Sequence, residues 1–231
     1  MTWRLSQAQS RENYLKKYSA EEVETYEKWV AMLTHEDHFA YLQDMQDHCL
    51  FTAGQKVLDV GAGTGGLTTV LNLVPKLHLT ALEPSPEMLK VLQAKTQLAA
   101  VECVQGFCDH PNDRTHFLEN SFDVIASRQL FNGLYDPIAA LENAWYWLKP
   151  NGFLVATDGF YDRSAWSGVW EDVVDQLPLS ACRTLATIPY LMEHVGFRVH
   201  TAQLMQRTNQ RPNIRTQRYI IVASKTSASL R

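Results

Sequence analysis

The sequence predicts an α/β fold: a doubly wound, mainly parallel sheet of seven strands, with helices on both faces, an N-terminal helical cap and an antiparallel C-terminal strand. Two observations support this prediction. From Lys56 onward, short apolar runs alternate with segments of helical periodicity, which is the pattern of a parallel sheet with crossover helices. The first apolar run ends at Val60 and leads into a turn with four glycines between Gly61 and Gly66. Such a turn is typical of a buried strand that passes into a helix.

Residues 1–50 are predicted to form the helical cap. Ser19 and Glu22 have the spacing of a capping box, and Thr34 and Asp37 repeat the same start signal. Apolar residues follow each signal at helical spacing. Neither glycine nor proline occurs in this segment, which favours helices packed on a core.

Strand and helix signals then follow one another along the chain. Strands are predicted at residues 56–60, 78–82, 101–105, 122–127, 153–157, 197–204 and 218–224. A helix follows the glycine turn at about residues 66–73, and Ser85 and Asp136, each before a proline, begin two more. A short helix ends at Gly196. The last two strands have no helix between them, so we expect them to pair, one of them antiparallel to the sheet.

The sheet domain is predicted to cover residues 51–231. Its Lys-Pro-Asn-Gly segment, residues 149–152, is expected to end a helix before the fifth strand begins. An inserted helix is expected within about residues 160–187. Ser164 begins this helix, and its apolar stripe is formed by Trp166, Val169, Trp170, Val173 and Leu177.

Composition and charge exclude several classes of function. The net charge is −4 at pH 7, which argues against tight non-specific binding to nucleic acid, because that binding depends on Lys and Arg. The four cysteines show no Cys-x-x-Cys spacing, so we expect free thiols in a reducing compartment. No signal-peptide pattern and no apolar run of about 18 residues occurs. We expect a cytoplasmic protein with a small-molecule substrate and neither nucleic acid nor membrane as partner.

The histidines of the cap do not predict a metal site. His35 and His38 flank two acidic residues, but zincin histidines lie four positions apart on a helix. A solvated helix face is the simpler interpretation.

The glycine turn fits two cofactors. Gly61, Gly63 and Gly66 match the dinucleotide pattern G-x-G-x-x-G. Asp59 separates the alternatives, because its carboxylate would repel a pyrophosphate but suit an ammonium group. The chain also lacks the Tyr-x-x-x-Lys pair of one common dehydrogenase arrangement. The turn therefore favours S-adenosylmethionine (SAM) over a nicotinamide dinucleotide.

An acidic residue two positions before G-x-G-x-G resembles motif I of the class I SAM-dependent methyltransferases, and the resemblance covers about residues 50–225. It implies a Rossmann-like domain in which Glu83, at the end of the second strand, binds the ribose hydroxyls. Met88 would lie against adenine, Asp109 would accept from the adenine amino group, and Arg128 would pair with the SAM carboxylate. Phe107 departs from the acidic residue that the family usually has there. The cofactor-binding residues implied are Asp59, Gly61, Gly63, Gly65, Glu83, Met88, Phe107, Cys108, Asp109, Ser127, Arg128, Gln129, Tyr14 and Tyr18.

The resemblance also implies how the acceptor is handled. Methyl transfer from SAM needs alignment and exclusion of water more than a catalytic triad, and no triad is evident. Tyr135 or Asp158 is a candidate general base, and Asn132 is a further catalytic candidate. A flat organic acceptor or a cation held by ring faces would suit the aromatic residues, although Trp166 and Trp170 also fit a packing stripe. The candidate lining residues are Tyr14, Tyr18, Asn132, Tyr135, Phe160, Tyr161, Trp166 and Trp170.

Several acceptor classes are disfavoured. The Asn/Asp-Pro-Pro-Tyr motif of amino-group methyltransferases acting on DNA bases or protein glutamine is absent, as are the Pro-Cys pair of cytosine C5 enzymes and an Asp-Asn pair after Asp158. One alternative reaction stays open: a lyase of the same fold that cyclises the aminocarboxypropyl arm of SAM and releases methylthioadenosine. It would need the same SAM motifs, so the sequence does not separate the two reactions.

Overall fold

The computed structural model describes residues 7–166, 171 and 173–226, and its centre is a seven-stranded sheet. The strands, in chain order, are β1 (Lys56–Val60), β2 (His78–Glu83), β3 (Glu102–Gln105), β4 (Phe122–Arg128), β5 (Leu148–Gly159), β6 (Phe197–Leu204) and β7 (Arg218–Lys225). Their order across the sheet is β3-β2-β1-β4-β5-β7-β6. Neighbours from β3 to β5 are parallel, whereas β7 is antiparallel to both β5 and β6. The predicted fold class is confirmed.

Helices precede and connect the strands. Within the described ranges they are α1 (Gln7–Lys17), α2 (Ala20–Val30), α3 (His35–Gln46), α4 (Gly66–Leu71), α5 (Pro86–Ala94), α6 (Pro137–Trp147) and α7 (Thr187–Val195). The starts predicted at Ser85 and Asp136 are confirmed, because each side chain accepts a hydrogen bond from the third residue of its helix. None of these helices is long and apolar enough to cross a membrane.

The cap helices begin as their sequence signals predict. Thr34 and Asp37 form both bonds of a capping box. Ser19 accepts from the backbone N–H of Glu22 at 3.3 Å. The division of the chain at residue 50 stays a prediction, since Met45 of α3 is fully buried in the same apolar cluster as the sheet.

Two apolar clusters cover the two faces of the sheet. Side chains alternate along β1, so that Val57 packs in one cluster and Leu58 in the other. The first cluster includes α4 and α3, and the second includes α6 and α7. The sheet is therefore buried on both faces, as a parallel sheet requires.

The fifth strand begins earlier than predicted. Leu148 pairs with Phe122, and the next pair joins Phe153 to Val124. The residues between them form a bulge in the strand, with Asn151 at φ 63°. The helix before the Lys-Pro-Asn-Gly segment ends at Trp147, as expected, but the segment lies within β5 rather than before it.

The predicted inserted helix is wrong for the part that the structure describes. Short 3-10 turns occupy Arg163–Ala165 and Val174–Gln176, and Val169 and Trp170 lie outside the described residues. The Trp166 indole N–H donates to the carbonyl oxygen of Ser180 at 2.8 Å. This tertiary contact overrides the helical periodicity of the sequence.

Candidate active site

The glycine turn between β1 and α4 brings bare backbone to the end of the sheet. Gly61, Gly63 and Gly65 all have positive φ, between 56° and 89°, a conformation that glycine adopts at little cost. A Cβ atom on Gly61 would lie 2.7 Å from Cδ1 of Leu130. Gly61 and Gly63 line a cavity of about 410 Å³. The turn therefore leaves room for a ligand against its backbone.

Glu83, at the end of β2, is held by this turn and faces the same cavity. Its Oε2 accepts from the backbone N–H of Gly63 at 2.9 Å, and its Oε1 accepts from Ser85 N–H at 2.9 Å. Each carboxylate oxygen keeps a second acceptor position. Burial raises the pKa of Glu83 to about 7, although the two backbone donors oppose the shift.

Asp59 lies beneath the turn and is not part of the cavity wall. Its Oδ2 accepts from the Thr68 hydroxyl at 2.6 Å, and its Oδ1 has no partner in the part of the chain that the structure describes. Burial raises the pKa of Asp59 to about 6, opposed by the Thr68 hydrogen bond and by Arg128. A contact between Asp59 and a ligand stays a prediction.

Arg128 brings a buried positive charge to the cavity. Its guanidinium lies 5.4 Å from the centre of the Tyr41 ring. Its Nε and Nη1 atoms have no hydrogen-bond partner within the described ranges. Ser127, by contrast, borders a separate void of about 20 Å³ next to Phe131. Arg128 can therefore bind an anion, whereas the predicted contact of Ser127 with the cofactor has no support in the cavity lining.

Four residues predicted to contact the cofactor lie on the cavity wall. Met88, Phe107, Cys108 and Asp109 all line the cavity. Phe107 packs edge-on against Tyr14, with ring centroids 5.6 Å apart. Asp109 accepts from the backbone N–H of Tyr135 at 2.9 Å, and burial raises its pKa.

The cap closes the cavity with more residues than were predicted. Tyr14 and Tyr18 of the α1 region line it, with ring centroids 5.0 Å apart. Sequence reasoning missed five further lining residues of the cap, although the helical spacing of the four on α2 was a usable signal. The missed residues of the cap are Lys17, Glu22, Thr25, Tyr26 and Trp29.

Four further acceptor candidates also line the cavity. Asn132, Tyr135, Tyr161 and Trp166 line it, and so does Gln129. Trp170 is outside the described residues.

Two candidates lie elsewhere. Phe160 was expected in the lining, but its ring packs against Tyr219 in the core, with centroids 4.9 Å apart. Asp158 lies behind the wall, where its Oδ1 accepts from Gly159 N–H at 2.7 Å and from the Asn132 amide at 3.3 Å. Burial raises the pKa of Asp158 to about 6. Asp158 therefore contacts the cavity through Asn132 rather than directly.

No cluster of three or more potential metal ligands occurs among residues 7–166, 171 and 173–226. The cavity lies at the carboxyl ends of β1, β2 and β4, where open α/β sheets bind ligands. Together with an antiparallel β7 between β5 and β6, this arrangement defines the Rossmann-like methyltransferase fold.

Comparison with known proteins agrees with this class. Residues 58–156 match the family model described as a methyltransferase domain. Over these residues the chain is similar to the class I SAM-dependent methyltransferases.

Curated relatives carry related domains. Phosphoethanolamine N-methyltransferase 1 of Triticum aestivum is 32% identical over 128 residues, which are 54% of this chain and 24% of the relative. Malonyl-[acyl-carrier protein] O-methyltransferase of Bacillus anthracis is 30% identical over 129 residues, 52% of this chain and 46% of the relative. The chain thus spans less than half the length of either relative.

The fold also matches solved structures. Phosphoethanolamine N-methyltransferase 2 of Haemonchus contortus, in complex with phosphomonomethylethanolamine and S-adenosylhomocysteine, superposes with a TM-score of 0.68. The match is 18% identical and covers 94% of this chain and 60% of that chain. At this identity the likeness concerns the fold.

Proposed function

We propose that the protein transfers the methyl group of SAM to a small-molecule acceptor bound in the same cavity. One observation carries the proposal: Glu83 is fixed by two backbone N–H groups, and it borders a largely aromatic cavity together with Gly61 and Gly63 of the glycine turn. The family match over residues 58–156 supports the same activity. The cavity's size suits a nucleoside-bearing ligand together with a small acceptor.

The residues present fit SAM. The two unused acceptor positions of Glu83 suit a ribose diol, and the wall formed by Met88, Phe107, Cys108 and Asp109 suits adenine. The unpartnered guanidinium atoms of Arg128 suit the carboxylate of SAM. Asp59 and Ser127 would act from behind the wall, whereas Gly61, Gly63, Gly65, Gln129, Tyr14 and Tyr18 would border the ligand or shape the turn that it lies on.

When bound, SAM supplies a methyl group on a positively charged sulfur with a good leaving group. The chain's own residues then need to align the acceptor and exclude water. Tyr18, Tyr26 and Trp29 of the cap form an apolar cover for this purpose.

A general base has weak support in this cavity. Burial raises the pKa of the Tyr135 hydroxyl, so it keeps its proton at neutral pH and is a poor base. Asp158 has a pKa of about 6 but reaches the cavity only through Asn132. We therefore assign Asn132 and Tyr135 to acceptor positioning, and we expect an acceptor that presents a free lone pair.

Mass spectrometry tests the activity. The purified protein is incubated with SAM alone and then with candidate acceptors, beginning with phosphoethanolamine and malonyl-[acyl-carrier protein], the compounds named for the two relatives. S-adenosylhomocysteine that appears only with an acceptor supports methyl transfer. Methylthioadenosine formed from SAM alone, above its spontaneous rate, would contradict the proposal in favour of the lyase reaction, which no comparison supports.

A further inference from the structure

The Tyr161 hydroxyl lies where the ends of two strands meet beside the cavity. Arg218, the first residue of β7, donates to the hydroxyl oxygen from Nη1 at 2.8 Å. Gln129, which follows β4, donates to the same oxygen from Nε2. Guanidinium and amide N–H groups can donate but cannot accept. The oxygen of Tyr161 therefore accepts two hydrogen bonds.

A tyrosine hydroxyl with both acceptor positions filled has only its proton left to offer. Within the described part of the chain, no residue accepts a hydrogen bond from Tyr161. Because the side chain lines the cavity, a bound ligand is the available partner for that proton.

The local backbone is adapted to this contact. Gln129 has φ 55°, a conformation that costs a non-glycine residue about 1 kcal/mol. A Cβ atom on Gly159 would lie 3.0 Å from Nη1 of Arg218 and 3.3 Å from Cε2 of Tyr161. The backbone at Gln129 and the absence of a side chain at Gly159 allow Gln129 and Arg218 to reach the Tyr161 hydroxyl.

Burial keeps Tyr161 in its donor form. Burial raises the pKa of the Tyr161 hydroxyl, opposed by Arg218, so the proton is retained at neutral pH. Asp158 lies near enough to raise the pKa of Arg218 and offsets part of its charge. Oδ1 of Asp158 accepts from Gly159 N–H and from the Asn132 amide, whereas Oδ2 has no partner among the described residues. The Tyr161 hydroxyl is therefore an oriented hydrogen-bond donor with the Arg218 guanidinium next to it.

We propose that Tyr161, held by Arg218 and Gln129, donates a hydrogen bond to an oxyanion of the methyl acceptor and thereby selects acceptors that carry a carboxylate or a phosphate. The inference rests on the proposed function, since the acceptor would share the cavity with SAM. Tyr161 would contact the substrate, whereas Arg218 and Gln129 are positioning residues.

The response of the hydroxyl to small anions tests the proposal without a known acceptor. The protein is labelled with ¹³C at the tyrosine Cζ atoms and saturated with S-adenosylhomocysteine, and Tyr161→Phe assigns the Tyr161 resonance. Sodium acetate and sodium phosphate are titrated at constant ionic strength. The Tyr161 resonance should shift and saturate with at least one anion, and the anion that binds more tightly identifies the acceptor group. The Tyr190 resonance, assigned with Tyr190→Phe, should stay in place, because Tyr190 is exposed and lies outside the cavity lining.

A Tyr161 resonance that responds to neither anion overturns the proposal. Gln129→Glu gives an independent check. A carboxylate at this position would accept the hydrogen bond from the Tyr161 hydroxyl and would repel the anion. The anion affinity of this variant should fall about tenfold, and an unchanged affinity would also count against the proposal. Calorimetry of the unsubstituted protein with SAM separates the two hypotheses. If SAM does not bind but the Tyr161 resonance still responds to an anion, the proposed function is contradicted and the anion site is not.

Discussion

The two halves of the cavity differ in whether backbone groups or side chains form them. The half assigned to SAM is centred on a glycine turn and a carboxylate held by backbone N–H groups of Gly63 and Ser85. The half assigned to the acceptor consists of side chains from α2 and from the segments that follow β4 and β5, where Arg218 of β7 holds Tyr161. Backbone geometry fixes the first half, whereas the second depends on side chains that substitution can change without altering the fold. Substitutions should therefore separate SAM binding from acceptor binding.

The largest effect is expected at Glu83. Glu83→Ala removes acceptors for two ligand hydroxyls and should weaken SAM binding about a hundredfold, at roughly 1.5 kcal/mol for each hydrogen bond to a charged group. Isothermal titration calorimetry measures the affinity. Glu87→Ala is the matched control, because Glu87 lies in the same segment but pairs with Lys90 at 2.7 Å on the surface. Equal affinities for the wild type and the Glu83 variant would remove the basis for the SAM half.

The pH dependence of SAM binding is the next largest effect. Burial raises the pKa of Glu83 from 4.5 to about 7, and the ionised form is the one that accepts from hydroxyls. SAM affinity should therefore rise about tenfold from pH 6 to pH 8. Asp59, with a pKa of about 6, shifts the profile in the same direction. Glu83→Gln should flatten the profile; a slope that survives this change belongs to another group.

Stability should change with pH in the opposite direction. Folding favours the protonated form of Glu83, so its contribution to the free energy of unfolding is fully present below pH 4.5 and is lost as the pH rises through about 7. Urea unfolding of the wild type and of Glu83→Gln across this window measures the difference.

A smaller effect is expected at Trp29 in the acceptor half. Its side chain lines the cavity but is 51% exposed, so a ligand would cover more of it. Trp29→Ala should raise the acceptor KM about fivefold, or about 1 kcal/mol of apolar burial, with little change in SAM affinity. Met32→Ala is the control, since Met32 is 49% exposed and lies outside the lining. Equal losses for SAM and acceptor would mean that α2 serves both halves.

The smallest effect concerns how the cap is held. Lys95, after α5, pairs with Glu27 of α2 at 2.7 Å, with side chains 17% and 25% exposed. Lys95→Met should loosen α2 by about 0.5–1 kcal/mol, seen as faster amide exchange in α2 with little change in β1. Lys90→Met, which removes a more exposed pair, should have almost no effect. Faster exchange throughout the sheet would show that the cap does not open independently.

Sequence reasoning succeeded where function depends on local order. The glycine turn and the start of α5 were predicted because each is specified by neighbouring residues, whereas the role of Glu83 was predicted from the resemblance to a known family. It failed where distant segments decide. The Lys-Pro-Asn-Gly segment was expected before β5 but forms a bulge within it, between the paired residues Leu148 and Phe153. Phe160 was expected in the cavity lining, but its ring packs against Tyr219 in the core. The Tyr161–Arg218 contact joins residues 57 positions apart, which no motif encodes.

The position of β7 also determines when the sheet becomes complete during synthesis. This strand follows all other strands in the chain, yet it lies between β5 and β6. Until residues 218–225 have left the ribosome, both neighbours present unpaired edges, which are prone to association with other chains. A nascent chain can thus hold its glycine turn while Tyr161 still lacks Arg218. During synthesis, the half of the cavity assigned to SAM can therefore form before the half assigned to the acceptor.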